Sequence, residues 1–445
     1  MPDALTILLA TDVFPPHCGG SGWSTYHLAR ALRARGHRVI VARPREGPSG
    51  SQLAEYDGLP VHELGFSARG GSLPFVRGIN RQERFWPRFA RFLADLARAE
   101  GVELIHGQHL ISIPAAVAAG GRLGLPTIAT VRDYWPTCPI GTRLQRCPET
   151  AHCSPACQLC CLARGRVPLR PLVRAGLPYV AANLRRRQRA LLAADRTIAV
   201  SNAVAQILRD NIPGLAPVVI PNFIADEAVD KSVVRGPWSV VEGSSLTSEF
   251  PTTAAAASNP PRTTDHGPRT ILYVGKLEPH KGADLLPAAV AAVPGARLVV
   301  AGDGPLAGEV AAGCAARGVP LELLGERPHD DVLALMRAAD ALIFPARWEE
   351  PLTRTLLEAG SMGLPAVALA TGGTPDIIID GETGLLAETP AGLGPALAAL
   401  LADPARRERM AVAAPRHIAA TFAERVVVPR VEALYREAIA EKRGR

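Results

Sequence analysis

The chain has 445 residues, of which 47% are hydrophobic and 20% charged, and its formal net charge is +7. This length predicts two or three domains of about 150 residues each. No apolar run reaches the roughly 18 residues of a membrane helix, and the run at 5–10 is too short for a signal peptide. The composition therefore argues against a membrane-spanning or disordered chain, and we expect a cytoplasmic protein rather than a secreted one.

The first 200 residues alternate short apolar runs with amphipathic stretches. The apolar runs, which predict strands, lie at 5–10, 37–44, 102–106, 126–131 and 196–200. A glycine loop with Gly19, Gly20 and Gly22 follows the first run, and a helical pattern covers 24–35. This alternation is typical of a doubly wound, parallel α/β sheet. We predict a first domain over residues 1–200.

A segment rich in Ser, Thr, Pro and Ala at 232–268 has no apolar periodicity and predicts a flexible insertion. After it the alternation resumes, with strands predicted at 269–275, 296–302, 339–345 and 365–370, and helices at 283–294, 305–317, 329–339 and 351–362. These predict a second α/β domain within 201–420, followed by a helix over 421–445 that packs back toward the first domain. A ligand is expected at the carboxyl ends of the strands, in the cleft between two such domains.

Lysine is rare in this chain, and its placement is informative. The 49 basic residues include only four lysines, of which Lys276 and Lys281 share the loop after the predicted strand at 269–275. A compact ammonium group binds a diphosphate oxygen as a point charge. The loop therefore predicts a diphosphate site, with chance lysines on a solvated loop as the alternative. Gly19, Gly20 and Gly22 could likewise present N–H groups to an anion at a helix N-terminus, or form an ordinary turn.

Two carboxylates, Glu350 and Glu358, lie eight residues apart after a predicted strand. Pro351 is typical of a first helical turn and predicts a helix that begins there. Carboxylate oxygens can accept hydrogen bonds from the hydroxyls of a ribose or another sugar. The alternatives are a carboxylate at a helix N-terminus for Glu350 and a surface residue for Glu358.

These motifs, taken in order, resemble those of the family 4 glycosyltransferases of the GT-B fold. The resemblance rests on the glycine loop, LIHGQHL at 104–110, AVSNAV at 199–204, VIPNFI at 219–224, VGKLEPHKG at 274–282, AGDGP at 301–305, EPLTRTLLEA at 350–359 and GGTP at 372–375. It implies two Rossmann-like domains facing across a cleft. It also implies a retaining transferase that uses a nucleotide-diphosphate sugar, with UDP- or GDP-sugars as expected donors and no catalytic metal. A sugar-nucleotide hydrolase or phosphorylase and a non-catalytic metal-binding or scaffold protein are the alternatives.

The resemblance also implies roles for individual residues. Lys276 and Lys281 would hold the donor diphosphate, Glu358 the ribose, and Glu350 the donor-sugar hydroxyls. Other donor contacts would come from Gly19, Gly20 and Gly22, from the segment around Arg327, and from the backbone of Leu352, Thr353 and Arg354. His109 would lie near the transferred sugar, which makes His109, Glu350 and Lys281 the candidate catalytic residues. Two departures from the family pattern are Arg132, where a histidine is common before Asp133, and Thr353, where a glycine is usual.

Six of the eight cysteines lie between 138 and 161. Without a secretion signal, metal binding is favoured over disulfides, and the Cys157–Cys160 spacing is typical of a metal knuckle. The stretch resembles a cysteine-bearing insert of some relatives, here about 136–165. That likeness implies a structural zinc on Cys138, Cys147, Cys157 and Cys160. An iron–sulfur cluster and unliganded cysteines are the alternatives.

Arginines are concentrated between 164 and 189. Relatives that act on lipid-linked acceptors carry basic faces on this domain, so peripheral contact with the inner face of the membrane is one interpretation. A solvated helix is the other, and we favour it. The expected partners are a small-molecule donor and acceptor, without nucleic acid, and the sequence does not predict an oligomeric state.

Overall fold

A computed structural model describes residues 4–16, 18–66, 84–139, 141, 170–226 and 268–444. By their contacts they form two compact units. Unit 1 comprises Met1–Phe223, Trp348–Thr353 and Glu424–Arg445, and unit 2 comprises Ile224–Arg347 and Arg354–Ala423. Most of the insert at 136–165, and all of the insertion at 232–268 except its last residue, lie outside the described residues.

Unit 1 is built on a sheet of eight strands among the described residues. The strands are β1 (Thr6–Ala10), β2 (Arg38–Glu46), β3 (Gly50–Tyr56), β4 (Leu59–Phe66), β5 (Leu104–Gly107), β6 (Thr127–Val131), β7 (Arg196–Ala199) and β8 (Val218–Val219). Their order is β3-β4-β2-β1-β5-β6-β7-β8, parallel throughout except for the β3–β4 pair. The helices are α1 (Gly20–Ala34), α2 (Trp86–Ala99), α3 (Ser112–Leu123), α4 (Arg170–Leu192), α5 (Asn202–Asn211) and, numbered last in the chain, α13 (Glu424–Arg443).

Both faces of this sheet are covered, which explains why its central strands are mostly apolar and buried on both faces. On β1, Ile7 and Leu9 join a core formed with α1 and α13, whereas Leu8 and Ala10 join a core formed with α2 and α3. The two sets alternate because successive strand side chains point to opposite faces. Helix α13 is thus part of unit 1.

The β3–β4 hairpin was not predicted, although the sequence contains a signal for it. Its turn is Asp57–Gly58, and both residues have positive φ angles, +52° and +68°. This is the conformation of a type I′ turn, for which Asp-Gly is a preferred pair. The hairpin forms one edge of the sheet, where β4 pairs with β2 and β3 is the outermost strand.

Unit 2 is built on a parallel sheet of six strands among the described residues. They are β9 (Thr270–Val274), β10 (Arg297–Ala301), β11 (Leu321–Leu323), β12 (Ala341–Phe344), β13 (Ala366–Leu369) and β14 (Leu385–Ala387), in the order β11-β10-β9-β12-β13-β14. The helices are α6 (Leu286–Ala291), α7 (Ala307–Ala315), α8 (His329–Ala338), α9 (Arg354–Ser361), α10 (Thr374–Ile377), α11 (Leu393–Ala402) and α12 (Pro404–Thr421). The four predicted strands are confirmed, while the three-residue edge strands β11 and β14 were not predicted.

The predicted start of a helix at Pro351 is wrong. Helix α9 begins at Arg354, and the residues from Glu349 to Thr353 are not helical. In unit 1, the Leu352 carbonyl oxygen accepts a hydrogen bond from Asn222 Nδ2 at 3.4 Å. This carbonyl is thus paired with a side chain, and Leu352 and Thr353 are buried. The segment is irregular and does not form a first helical turn. Glu350 therefore precedes α9, and Glu358 lies within it.

Within the described parts of the chain, no helix is long and apolar enough to cross a membrane. The longest of them, α4, carries exposed arginines at Arg185 and Arg186 and a proline in its interior, Pro178.

Candidate functional site

The lysine loop follows β9 at the carboxyl edge of the unit 2 sheet. Lys276 is exposed, and its carbonyl oxygen accepts a hydrogen bond from the Tyr273 hydroxyl at 2.8 Å. Lys281 is partly buried and closes a short 3-10 turn, Pro279–Lys281. The backbone path is therefore held by β9 itself, while the ammonium group of Lys276 extends toward solvent.

Glycines allow two neighbouring loops to touch the lysine loop closely. Gly282 has φ +72°, and a Cβ there would lie 1.9 Å from the Pro345 carbonyl oxygen at the end of β12. Gly302, with φ +148°, would place a Cβ 1.9 Å from the Gly275 carbonyl oxygen. The Leu277 N–H donates to the Asp303 carbonyl oxygen at 2.9 Å. No other residue type fits these two glycine positions, which explains the glycines of the 274–282 and 301–305 motifs.

The segment after β12 is tied to the same loop from the other side. The Arg347 N–H donates to the His280 carbonyl oxygen at 3.0 Å, and its guanidinium makes two contacts with the Asp284 carboxylate, at 2.8 and 2.7 Å. Such a bidentate pair fixes orientation as well as distance. The lysine loop is thus held between the loops that follow β10 and β12.

Glu358 lies on the second turn of α9 and is 9% exposed. Its Oε1 accepts two hydrogen bonds, from Arg354 Nη2 at 3.2 Å and from His329 Nε2 at 3.1 Å. The hydrogen bond and charge of Glu358 raise the pKa of His329. His329 is the first residue of α8 and directly follows the segment around Arg327, so the structure brings that exposed segment next to Glu358. The sequence did not single out His329.

Glu350 is also buried, at 7% exposure, and its Oε2 accepts a hydrogen bond from Trp348 Nε1 at 2.7 Å. Trp348, Glu350, Leu352 and Thr353 all belong to unit 1 by their contacts, whereas Glu358 belongs to unit 2. The two carboxylates predicted as a pair therefore have separate surroundings, and their partners differ.

The glycine loop of unit 1 opens α1. Gly19 is the N-cap, and the N–H groups of Gly22 and Trp23 bond back to its carbonyl oxygen at 3.0 and 3.3 Å. Gly19 and Gly20 are exposed, and a Cβ at either would meet nothing within 4 Å. At Gly22 a Cβ would lie 2.5 Å from the Cys18 sulfur. Only Gly22 is thus required by packing, and the first two glycines leave the helix N-terminus open.

A buried carboxylate behind this loop was not predicted. Glu63 on β4 is 2% exposed and accepts from Arg43 Nε at 2.7 Å and from Gln52 Nε2 at 2.6 Å. Arg43 and Gln52 are its cross-strand neighbours on β2 and β3. Arg43 Nη1 also donates to the Phe14 carbonyl oxygen at 2.8 Å. The pair therefore anchors the chain leading into the glycine loop.

His109 lies between two carboxylates in unit 1. Its Nε2 is 3.2 Å from Asp133 Oδ2, and its Nδ1 is 3.4 Å from Asp12 Oδ2. Burial alone would lower the pKa of His109, but the carboxylates of Asp133 and Asp12 raise it to about 10. Asp12 also accepts from the N–H groups of Ile111 and Ser112, where α3 begins. His109 is therefore an imidazolium, and it can donate hydrogen bonds but cannot accept a proton.

His106, the other histidine of the motif, has a different environment. It is 1% exposed, with Nδ1 2.6 Å from the Tyr435 hydroxyl and Nε2 2.7 Å from the Thr130 hydroxyl. Burial, followed by the charge of Arg132, lowers its pKa to about 3. Arg132 itself donates to Gln108 Oε1 at 2.7 Å and to Asn222 Oδ1. His106 is a neutral structural residue, and Arg132 fills the place of the expected histidine as part of the same buried network.

Of the four cysteines assigned to zinc, only Cys138 is among the described residues, where it is buried. Cys147, Cys157 and Cys160 lie outside them, and the zinc site stays a prediction. In the part of the chain that the structure describes, no three His, Cys, Asp or Glu side chains are placed to hold a metal ion.

Two family models match the sequence. Residues 18–228 match the model described as Glycosyltransferase Family 4, and residues 257–417 match the one described as Glycosyl transferases group 1. Together they span more than four fifths of the chain.

Curated relatives match a shorter stretch. A glycogen synthase of Mycobacterium tuberculosis (strain CDC 1551 / Oshkosh) is 33% identical over 196 residues, which cover 42% of this chain and 46% of the relative. A D-inositol 3-phosphate glycosyltransferase of Corynebacterium glutamicum (strain R) is 34% identical over 188 residues, which cover 39% and 44%. The matched segments thus span less than half the length of either relative.

Solved structures match nearly the whole chain at low identity. The Anabaena protein HepE in complex with UDP has a TM-score of 0.66 and 16% identity, with 97% of this chain and 100% of that chain covered. The same protein in complex with UDP-glucose has a TM-score of 0.62, with 97% and 99% covered. At this identity the likeness establishes the fold.

Proposed function

The chain belongs to the family 4 glycosyltransferases and has the GT-B fold, and on this premise we propose that it transfers a sugar from a nucleoside-diphosphate sugar to an acceptor hydroxyl with retention of anomeric configuration. The observation that carries this proposal is in unit 2. At the carboxyl edge of one parallel sheet, a loop presents two lysines and helix α9 presents a buried carboxylate, which match the diphosphate and the ribose hydroxyls of such a donor. This edge is where α/β sheets bind ligands.

The lysine loop supports the diphosphate part of the proposal. Lys276 is exposed and Lys281 partly buried, on a loop whose backbone is fixed by Gly282, Gly302 and Arg347. Two ammonium groups on a loop with a fixed backbone can stabilise the negative charge that develops on a departing diphosphate. This chemistry requires no metal ion.

Glu358 supports the nucleoside part. An ionised carboxylate accepts hydrogen bonds from neighbouring hydroxyls, and burial strengthens such bonds by excluding water. The exposed segment around Arg327 leads directly to His329 and so to Glu358. We therefore assign the ribose to Glu358 and the base to the backbone of that segment. HepE binds UDP and UDP-glucose, which makes a UDP-sugar the first donor to test.

We propose a transfer step in which these residues stabilise the leaving group. The bond between the anomeric carbon and the phosphate oxygen breaks, and the acceptor oxygen bonds to that carbon on the same face. The acceptor proton passes to the departing phosphate oxygen, whose charge the lysines stabilise. His109 is already protonated, so its proposed role is to donate a hydrogen bond to the sugar rather than to act as a base. Glu350, buried against Trp348, is proposed to accept from donor-sugar hydroxyls.

A thermal-shift screen of UDP-, GDP-, ADP- and dTDP-sugars tests this proposal. A ligand at 100 times its Kd contributes about 2.7 kcal/mol of stability, which raises Tm by several degrees. The donor so identified is then incubated with candidate acceptors, and the anomeric configuration of the product is read by proton NMR. We expect one nucleotide class to stabilise the protein and the product to keep the donor configuration. A product with inverted anomeric configuration would refute transfer with retention. So would release of free sugar at the same rate with and without acceptor.

A further inference from the structure

We propose that His329 is a positioning residue that turns the Glu358 carboxylate toward the ribose of the donor and thereby enables discrimination between ribose and 2′-deoxyribose. This inference rests on the proposed function, because it concerns the same nucleoside site. It adds a residue that belongs to a different helix from Glu358 and that the motif containing Glu358 does not include.

The two carboxylate oxygens of Glu358 are used unequally. Oε1 of Glu358 accepts from both Arg354 Nη2 and His329 Nε2, at 3.2 and 3.1 Å. Oε2 forms no hydrogen bond with any described residue, and the Glu358 side chain is 12% exposed. Two donors on one oxygen fix the rotation of the carboxylate and leave the other oxygen available to ligand hydroxyls.

Arg354 is the second donor to Oε1 of Glu358. Arg354 is four residues before Glu358 on α9, a spacing at which the two side chains meet on the same helix face. A guanidinium pairs preferentially with both oxygens of a carboxylate. His329 occupies Oε1 from the side of α8 and so opposes rotation of the carboxylate into a bidentate pair. Loss of His329 would let Arg354 take both oxygens and remove the acceptor for the ribose.

Charged side chains surround the pair formed by His329 and Glu358. His329 is 58% exposed on its side chain and faces Glu358, Arg354 and Asp330, and the hydrogen bond and charge of Glu358 raise the pKa of His329. Since His329 is the exposed first residue of α8, it can be replaced without opening the core.

The test compares ribonucleotides with their 2′-deoxy forms. UDP, GDP and ADP and the three matching deoxynucleotides are titrated calorimetrically into the wild type, His329→Ala, His329→Gln and Asp331→Ala. Asp331, exposed on the same turn of α8, is the matched control. For the nucleotide that binds, we expect the wild type to prefer the ribo form by about tenfold. His329→Ala should reduce this preference to about twofold, His329→Gln should largely restore it through its side-chain amide, and Asp331→Ala should leave it unchanged.

The outcomes separate this inference from the proposed function. An unchanged ribo-to-deoxy ratio in His329→Ala, with the nucleotide still bound, overturns the role of His329 and leaves the donor site in place. An equal loss of affinity for both forms also overturns it, because that result indicates a general effect on the site. If none of the six nucleotides binds the wild type, the proposed function fails and the inference fails with it.

Discussion

The charge of His109 can be tested by removing one of its two carboxylate neighbours. Nε2 of His109 lies 3.2 Å from Asp133 Oδ2. With an effective dielectric constant of about 20, two unit charges at this distance attract by about 5 kcal/mol. At about 1.4 kcal/mol per pKa unit, the loss of one such charge lowers a pKa by between about three and four units. Asp133→Asn should therefore move the pKa of His109 from about 10 to about 6 or 7, with Asp12 still in place.

The substitution is chosen so that the fold is kept. Oδ1 of Asp133 accepts from the Trp135 N–H at 2.9 Å, and an asparagine oxygen can accept the same bond. The pKa is read from the Cε1–H resonance of His109 by NMR between pH 5 and 11, with His109→Gln to assign it. Asp95→Asn, which removes a carboxylate 65% exposed on α2, is the control and should leave the resonance unchanged.

The direction of the pH dependence follows from the raised pKa. A histidine whose pKa is higher in the folded chain stabilises the fold fully below its ordinary pKa of about 6.5. For His109 this stabilisation is lost as the pH rises through about 10. Two results would refute the assignment of an imidazolium held by Asp133. One is a pKa of His109 near 6.5 in the wild type, and the other is a pKa that stays above 9 in Asp133→Asn.

Two further substitutions test the packing behind the site. Tyr435→Phe leaves Nδ1 of buried His106 without its hydroxyl partner. This should lower the free energy of unfolding, measured by urea denaturation, by about 1–3 kcal/mol. The control Tyr56→Phe removes a hydroxyl that bonds to no described residue and should cost much less, so equal losses in the two variants would contradict the role of the hydrogen bond. Gly282→Ala combines a left-handed φ with a carbonyl oxygen 1.9 Å from the new Cβ, while Gly318→Ala has a similar φ, +65°, in open space. Backbone strain should lower the free energy of unfolding of both variants by about 1–2 kcal/mol. Gly282→Ala alone should lose additional stability and bind nucleotide more weakly. Equal stability and binding in the two glycine variants would show that the lysine loop does not depend on this close approach.

Much of the fold could be predicted because a parallel sheet covered on both faces leaves continuous apolar runs in the sequence. The runs at β1, β9 and β12 have this pattern, and the structure places a strand at each. The short edge strands β11 and β14 have only three residues each, too few to show a pattern. The start of α9 was misplaced because a proline is equally compatible with an irregular segment before a helix.

Residues of the candidate site could be proposed from the sequence only where they lie in one motif. Lys276 and Lys281 share a loop, and Glu358 lies in a recognisable stretch. The partners of Glu358 and Glu63 could not be predicted in this way. His329 meets Glu358 across 29 residues, and Arg43 meets Glu63 across 20, through the register of neighbouring strands. Such contacts depend on how the elements pack, which the sequence of one element does not contain.

The central claim is that the lysine loop of unit 2 binds the diphosphate of a nucleotide-sugar donor. Its most direct test is a calorimetric titration of the stabilising donor, with EDTA present, into the wild type, Lys281→Ala and Lys442→Ala. Lys442 lies on α13, where its Nζ pairs with the Asp195 carboxylate at 2.9 Å, and it controls for the loss of a lysine elsewhere. We predict saturable binding to the wild type and Lys442→Ala, and a loss of affinity of at least tenfold for Lys281→Ala. Equal affinity in all three proteins would contradict the claim.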